Sequence, residues 1–191
     1  RRINWESGLV YSYYRDDINM NEVDSSGYPT HNFYVKNKYD QVFKCLWNNN
    51  GGPSTFEPFF EPGSYNTNKI YQNSDGYKWK YIYTVDTGLK IKFMDNTWMP
   101  IIIGANTPNP IQSTAGVGSI DVINVTNGGS GYDLATPIVD VSYPQLNGVN
   151  IPSTGKATGK AIFNENGELT EVQVVETGFG YPSPPGVKVY G

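Results

Sequence analysis

Tyr77-Lys78-Trp79-Lys80-Tyr81-Ile82-Tyr83-Thr84-Val85 decides the fold class of this chain. Its odd positions carry Tyr, Trp, Tyr, Tyr and Val, while its even positions carry Lys, Lys, Ile and Thr. That alternation has the period of two expected of a strand with one face turned to a core. The rings belong inside. Lysines on the opposite face leave them without the adjacent charge that a base-stacking groove needs. Burying four such rings is worth about ten or more kcal/mol gross at ~25 cal/mol per Å², so this strand is expected to anchor its domain. Asp75-Gly76 supplies the turn that opens it.

Upstream, Phe33-Tyr34-Val35 leads through a polar turn, Lys36 to Asp40, into Gln41-Val42-Phe43-Lys44-Cys45-Leu46-Trp47. Phe43, Cys45 and Trp47 fall on one face and Val42 and Leu46 on the other, which predicts a strand covered on both sides. Asn48 to Pro53 (NNNGGP) ends it with residues that accept positive φ and a proline that cannot join a ladder. Phe56 to Tyr65 reads as a packed irregular loop. Downstream, Leu89–Met94 reads as a short strand and Trp98–Ile103 (WMPIII) as a buried terminal segment.

The composition agrees with sheet. Among 191 residues there are 30 Val and Ile against 11 Ala and Leu, with 27 aromatics and 20 Asn. Branched side chains crowd a helix and suit a pleated surface. The chain is therefore expected to be all-β, which excludes a helical bundle, a coiled coil and a Rossmann-type enzyme. Net charge is −4, so no field draws in nucleic acid or anionic lipid. No apolar run nears the ~20 residues of a membrane-spanning helix. The single Cys45 cannot form an internal disulfide, and one His with one Cys cannot build the usual zinc site. The opening Arg1-Arg2-Ile3-Asn4-Trp5 has neither an initiator Met nor an apolar signal segment, so the chain reads as a fragment or as one whose first residues are missing.

Composition also divides the chain. Residues 1–118 carry 11 acids and 11 bases, whereas 119–191 carry 7 acids, 3 bases and no Trp. Between them, residues 105–118 (ANTPNPIQSTAGVG) have the chemistry of a linker. The expected organisation is a β-sandwich-like domain over 1–104, a linker over 105–118 and a small β-domain over 119–191.

The second domain contains a repeat. Ile123-Asn124-Val125 followed by Gly129-Ser130-Gly131-Tyr132 recurs 49 residues later as Val172-Gln173-Val174 followed by Gly178-Phe179-Gly180-Tyr181. Pro137 to Val141 then recurs, one residue out of step, as Pro185 to Val189. Two G-x-G-Y units joined by a hairpin, Ala157–Phe163 and Leu169–Val175 around Asn166-Gly167, predict a pseudo-twofold β-domain. Its Gly129, Gly131, Gly178 and Gly180 serve the bends, and Tyr132 and Tyr181 bury their rings while their hydroxyls seek partners.

Candidate chemistry is sparse. His31 stands in a loop without a nucleophile-elbow pattern, and Cys45 lies in a hydrophobic strand where a thiol is inert. Glu57 and Glu61, or Asp16 and Asp17, are the carboxylate pairs a glycoside hydrolase would require, but they read as solvated loop charges. Neither Asn73–Gly76 nor Asn164–Gly167 has the oxygen density of a calcium loop. The G-x-G segments lead into Tyr and Pro rather than a helix, so they are turns and not phosphate loops. No cofactor, metal or small-molecule substrate is expected.

Tyr39 to Asn50, Gly51-Gly52-Pro53-Ser54, Asp75 to Tyr81 and the segment ending Trp98-Met99-Pro100 resemble a baseplate wedge subunit of T4-like contractile-tailed phages. The likeness spans about the first hundred residues. It rests on the V-F-K-C-L strand (containing Phe43 and Cys45, with Trp47 next) followed by the D-G-Y-x-W-x-Y motif (Asp75, Gly76, Tyr77, Trp79, Tyr81). The resemblance implies a non-enzymatic structural protein of the virion tail baseplate, assembled in the host cytoplasm. It also implies a homodimer that joins other wedge proteins. The chain departs from the prototype in lacking the family's N-terminal part and in carrying the repeat domain. Two other readings stand beside it: a carbohydrate- or receptor-binding module using exposed Tyr and Trp, and a cell-wall hydrolase.

Overall fold

The structure is a computed structural model that describes residues 1–63, 70–101, 118–146, 149–150 and 155–191. The protein is all-β and divides into two compact units, Arg1–Ala115 and Gly116–Gly191. Nearly all of the 105–118 linker stretch lies outside the described residues, as do Ile102 and Ile103.

Unit 1 is built on one four-stranded antiparallel sheet. Its strands β1 (Tyr34–Lys36), β2 (Gln41–Asn48), β3 (Ile70–Gln72) and β4 (Tyr77–Thr84) run in the order β1-β2-β4-β3. The layer packed on this sheet is irregular chain, with Tyr11 and Phe60 entering the same core as Val35, Phe43, Cys45, Tyr77 and Trp79. Strand β2 is covered on both sides, since Val42 and Leu46 are as buried as Phe43 and Cys45. Trp79 is fully enclosed, stacked on Tyr77 at 5.4 Å and met edge-on by Tyr11 at 5.9 Å. Its Nε1–H meets no acceptor. That loss costs about 1–3 kcal/mol, and burial of the ring outweighs it.

The aromatic alternation of β4 does not run unbroken. Phe43 pairs with Tyr81 but Val42 pairs with Tyr83, so β4 gains a residue at Ile82; Cys45 pairs with Trp79 and Trp47 with Lys78, so β2 gains one at Leu46. The two bulges restore the overall register while re-aiming side chains between them. Tyr77 and Trp79 therefore enter the main core with Tyr81 packed against it. Tyr83 and Val85 form a separate cluster with Val42, joined by Ile82, Met94 and Met99. Lys78 and Lys80 are half-buried rather than fully solvated.

Two expectations are corrected here. Leu89–Met94 is not a strand. Thr87–Phe93 forms a short helix, α1, because Asp86 caps it, its carboxylate accepting from Gly88 N at 2.8 Å and Leu89 N at 3.2 Å. This capping outcompetes the branched and aromatic content of the segment. Nor is the WMPIII segment buried as far as it is described. Trp98 and Ile101 are exposed, and only Met99 packs inward while Pro100 O accepts from the Tyr83 hydroxyl at 3.0 Å.

Unit 2 holds β5 (Ile138–Val141), β6 (Gln145–Leu146), β7 (Val149–Asn150), β8 (Thr158–Phe163), β9 (Leu169–Glu176) and β10 (Val187–Tyr190). The hairpin β8–β9 turns at Gly167, whose N–H donates to Asn164 O at 3.0 Å. Its pairing register carries a pseudo-twofold axis. Strands β5 and β10 pair antiparallel with Asp140 opposite Lys188, the two equivalent positions of the repeat, and Ile123 bridges its own equivalent, Val172. The two small cores are mates. One holds Ile120, Val141 and Tyr181; the other holds Leu169, Val189 and Tyr132. Ala157 and Ala161 of the β8 segment serve one core each. Gly159 lies between them, where a Cβ would come within 3.0 Å of Val172 and 3.2 Å of Val139.

Candidate functional site

The residues singled out in unit 1 converge on a single structural device. After β2 the chain passes through Asn49, Asn50 and Gly51, all with positive φ of 49°, 55° and 83°. The Asn48 carboxamide holds this run, accepting from Gly51 N at 3.1 Å and donating to Tyr11 O at 2.9 Å. Asp75 grips the next stretch. Its Oδ2 accepts from Thr55 N at 2.7 Å, Phe56 N at 3.0 Å and Ser54 Oγ at 3.2 Å, while Oδ1 accepts from Tyr77 N at 3.1 Å. A carboxylate taking several N–H and O–H donors is the strong kind of hydrogen-bonded anchor. Gly76 sits at φ +82°, and a Cβ there would lie 2.7 Å from Asn49 Cγ. Tyr77 completes the clamp, its hydroxyl donating to Gly52 O at 2.7 Å and accepting from Tyr11 N at 3.3 Å. The D-G-Y motif thus fixes the 48–56 loop where the end of β2 meets the start of β4.

The rest of the motif supports that device from below. Phe43, Cys45, Tyr77 and Trp79 are fully buried, and Tyr81 stacks on Phe60 at 4.0 Å. Trp47 meets Tyr13 edge-on at 5.2 Å, at the bulge in β2. Burial raises the Cys45 thiol far above its ordinary value, and the thiol donates to Trp47 O. Such a group is neither a nucleophile nor a metal ligand at neutral pH.

A second anchor was not visible in the sequence. Asn37 and Gln41 are buried polar residues whose side chains satisfy each other and the loop beyond. Asn37 Nδ2 donates to Gln41 Oε1 and Pro58 O, its Oδ1 accepts from Tyr39 N and Gln41 N, and Gln41 exchanges hydrogen bonds with both N and O of Phe60. This network seats Phe60 in the core. Beside it, Asp40 accepts from Lys36 at 2.8 Å and from Lys90 of α1 at 2.6 Å. Burial opposes ionisation of Asp40, but the two lysines outweigh it and hold the carboxyl below its ordinary value.

The candidate catalytic groups are placed apart or engaged. His31 Nε2 lies 3.9 Å from Glu22. Glu57 accepts from Lys38, through its ammonium at 3.0 Å and its backbone N–H at 2.8 Å. Asp17 is held by Arg15. Among the described residues, no three His, Cys, Asp or Glu side chains group closely enough to hold a metal ion.

In unit 2 the repeat turns match closely. Gly129 and Gly178 have φ of +59° and +60°, and Gly131 and Gly180 have +85° and +80°. The tyrosines differ. Tyr181 is buried, its hydroxyl accepting from Ala157 N at 2.8 Å and donating to Ser142 O at 3.1 Å. Tyr132 is half-buried, its ring 5.1 Å from Phe163.

Both units present large apolar side chains outward. Ile91 is 81% exposed and Phe93 62%, with Phe56, Phe59 and Trp98 also open; in unit 2 Val149, Val175 and Phe179 are exposed. These rigidly backed residues can supply contact area at low entropic cost. Comparison with protein-family models, with curated proteins and with solved structures returns no match for this chain.

Proposed function

We propose that this chain is a structural component of a phage tail baseplate wedge, joining neighbouring baseplate proteins and itself pairing as a homodimer. The observation that carries the reading is the convergence of the two motif segments. The residues that make the chain resemble wedge subunits form one clamp, in which Asp75, Gly76 and Tyr77 lock the 48–56 loop over a core of Phe43, Cys45 and Trp79. A motif whose members all hold chain against chain suits a scaffold. The outward Phe, Ile and Trp side chains suit contacts with neighbours.

The carbohydrate-binding reading draws less support. The near-parallel ring pairs, Phe60–Tyr81 and Tyr77–Trp79, lie in the core. Pairs that include an exposed ring, Tyr39–Phe59, Tyr14–Phe33, Phe33–Tyr34 and Tyr28–Trp98, are inclined at 64°, 57°, 42° and 32°, so none offers a sugar two coplanar rings. A density map of the intact particle tests the proposal. It is expected to show this chain in the baseplate, with interfaces to other chains each burying more than ~1,000 Å². A chain found free of such interfaces would refute it.

A further inference from the structure

We propose that a cleft in unit 1, beside Arg2, receives a carboxylate presented by a neighbouring protein chain. The cleft has a volume of about 270 Å³ and is walled by Arg2, Asn4, Trp5, Lys36, Lys38 and Glu57. It exists because residues 3–5 run parallel to the outer edge of β1. Lys36 N donates to Ile3 O at 2.7 Å and Trp5 N to Lys36 O at 2.8 Å. Of the three cations along this space two are already ion-paired, Lys36 with Asp40 at 2.8 Å and Lys38 with Glu57 at 3.0 Å, so Arg2 is the one the proposal rests on.

Their fixation matters as much as their number. The Arg2 guanidinium is held by two neutral oxygens, Nε donating to Asn4 Oδ1 at 3.0 Å and Nη1 to Asp95 O at 2.7 Å. Its fork is thereby oriented by uncharged oxygens, while the Asp95 carboxylate, held below its ordinary value chiefly by the Trp98 and Thr97 N–H groups, also lies within its field. Lys36 is buried and set by Asp40 at 2.8 Å and Asn37 O at 3.0 Å. The Trp5 ring forms an apolar wall, its Nε1 already given to Ser54 Oγ at 2.9 Å. A guanidinium immobilised in advance loses little further freedom on binding, and its planar donors match a carboxylate in two-point fashion.

Size and charge select the ligand. The volume falls just under the ~300–1,000 Å³ of cofactor-sized pockets, so it suits one acidic side chain or chain terminus. Residues 1–118 carry 11 acids and 11 bases, so no long-range field gathers a polyanion there, which favours an isolated protein carboxylate over a nucleic-acid backbone. The assembly reading supplies only the source of the carboxylate; the chemistry of the cleft stands without it.

The test follows the Trp5 indole N–H resonance of the intact ¹⁵N-labelled chain. The probes are the peptide acetyl-Gly-Glu-Glu-Gly-amide, its Gln-for-Glu counterpart, inorganic phosphate and oligothymidine. A saturable shift is expected with the Glu peptide only. Arg2→Gln should weaken binding about tenfold. Glu57→Gln, which removes the competing acid, should strengthen it by about two- to fivefold. That gain is an effect no merely structural role for Glu57 would produce. An equal response to the Gln peptide, tighter binding of phosphate or oligothymidine, or a folded Arg2→Gln or Glu57→Gln chain with unaltered affinity would each overturn the proposal. A particle map with extensive interfaces but no peptide binding would remove the cleft alone. Peptide binding without such interfaces would remove the assembly reading alone.

Discussion

In residues 1–115 buried polar side chains reinforce the backbone ties of irregular chain, whereas in residues 116–191 close approaches at glycines do more of that holding. Unit 1 spends Asn37, Gln41, Asn48, Asp75 and Tyr77 on loop carbonyls and N–H groups, over a core rich in rings. Unit 2 uses left-handed glycines where strands and turns approach closely, over two small cores of Ala, Val, Ile, Leu and Tyr. Either device rigidifies a protein with short strands, but each fails differently. Side-chain anchors fail by leaving cavities or unpaired polar groups, and glycine approaches fail by collision.

The largest expected effect is in unit 1. Trp79→Ala empties the centre of the ring cluster and should cost about 3–5 kcal/mol. Denaturant unfolding followed by Trp fluorescence checks this, since 119–191 has no Trp and the remaining three all lie in residues 1–118. A cost below ~1.5 kcal/mol would mean that the ring core is not what holds unit 1.

Much of this comparison was readable in the sequence. The period-two stretch at Tyr77–Val85 located the anchoring strand, and both faces of Gln41–Trp47 were apolar because both are covered. The repeat offset implied a pseudo-twofold domain; that equivalent positions pair with each other, at Ile123–Val172 and Asp140–Lys188, is added by the structure. What stayed hidden depends on contacts distant in sequence. The paired bulges at Ile82 and Leu46 exist only once β2 and β4 are aligned. Asn37 and Gln41 looked like ordinary turn and strand-end residues, because their partners at Pro58 and Phe60 lie about 20 residues away. Helix α1 was missed because one capping carboxylate, Asp86, overrode local propensity.

Glycine substitutions should separate collision from backbone strain. At Gly178, φ is +60° and a Cβ would collide with the Gly155 carbonyl and approach Ala157 N to 2.7 Å. At Gly180, φ is +80° but a Cβ meets nothing within 4 Å. Gly178→Ala is therefore expected to cost about 2–4 kcal/mol and Gly180→Ala about 1 kcal/mol. Amide hydrogen exchange at the β8–β9 hairpin in the whole chain measures both. Equal costs would show that φ alone, and not close approach, dictates the repeat.

Asp40 sharpens the contrast from the side of unit 1. Asp40→Asn keeps the shape but strands the buried Lys36 and frees Lys90, for an expected loss of about 2–3 kcal/mol at neutral pH. The folded-state carboxyl lies below its ordinary value, so its contribution is present above the unfolded pKa of about 3.9 and disappears as pH falls through the folded value. Stability measured against pH should show native and Asp40→Asn chains converging on acidification and separating above that range. Parallel curves would remove the ion pairs from the account.

The smallest effect concerns the asymmetry inside the repeat. Tyr181→Phe deletes a hydroxyl that serves both Ala157 N and Ser142 O in a buried setting, leaving both unpaired at a cost of about 1–2 kcal/mol. Tyr132→Phe removes the equivalent hydroxyl from a half-buried ring whose main contact is Phe163, so its effect should stay within about 0.5 kcal/mol. The pair of substitutions compares one position with its symmetry mate in the same molecule. A difference of at least ~0.5 kcal/mol between the two, read by the same hydrogen exchange, means that the second G-x-G-Y unit has added a side-chain anchor of the unit 1 kind to a glycine-anchored fold. Equal costs would mean that both repeats are held by glycine geometry alone.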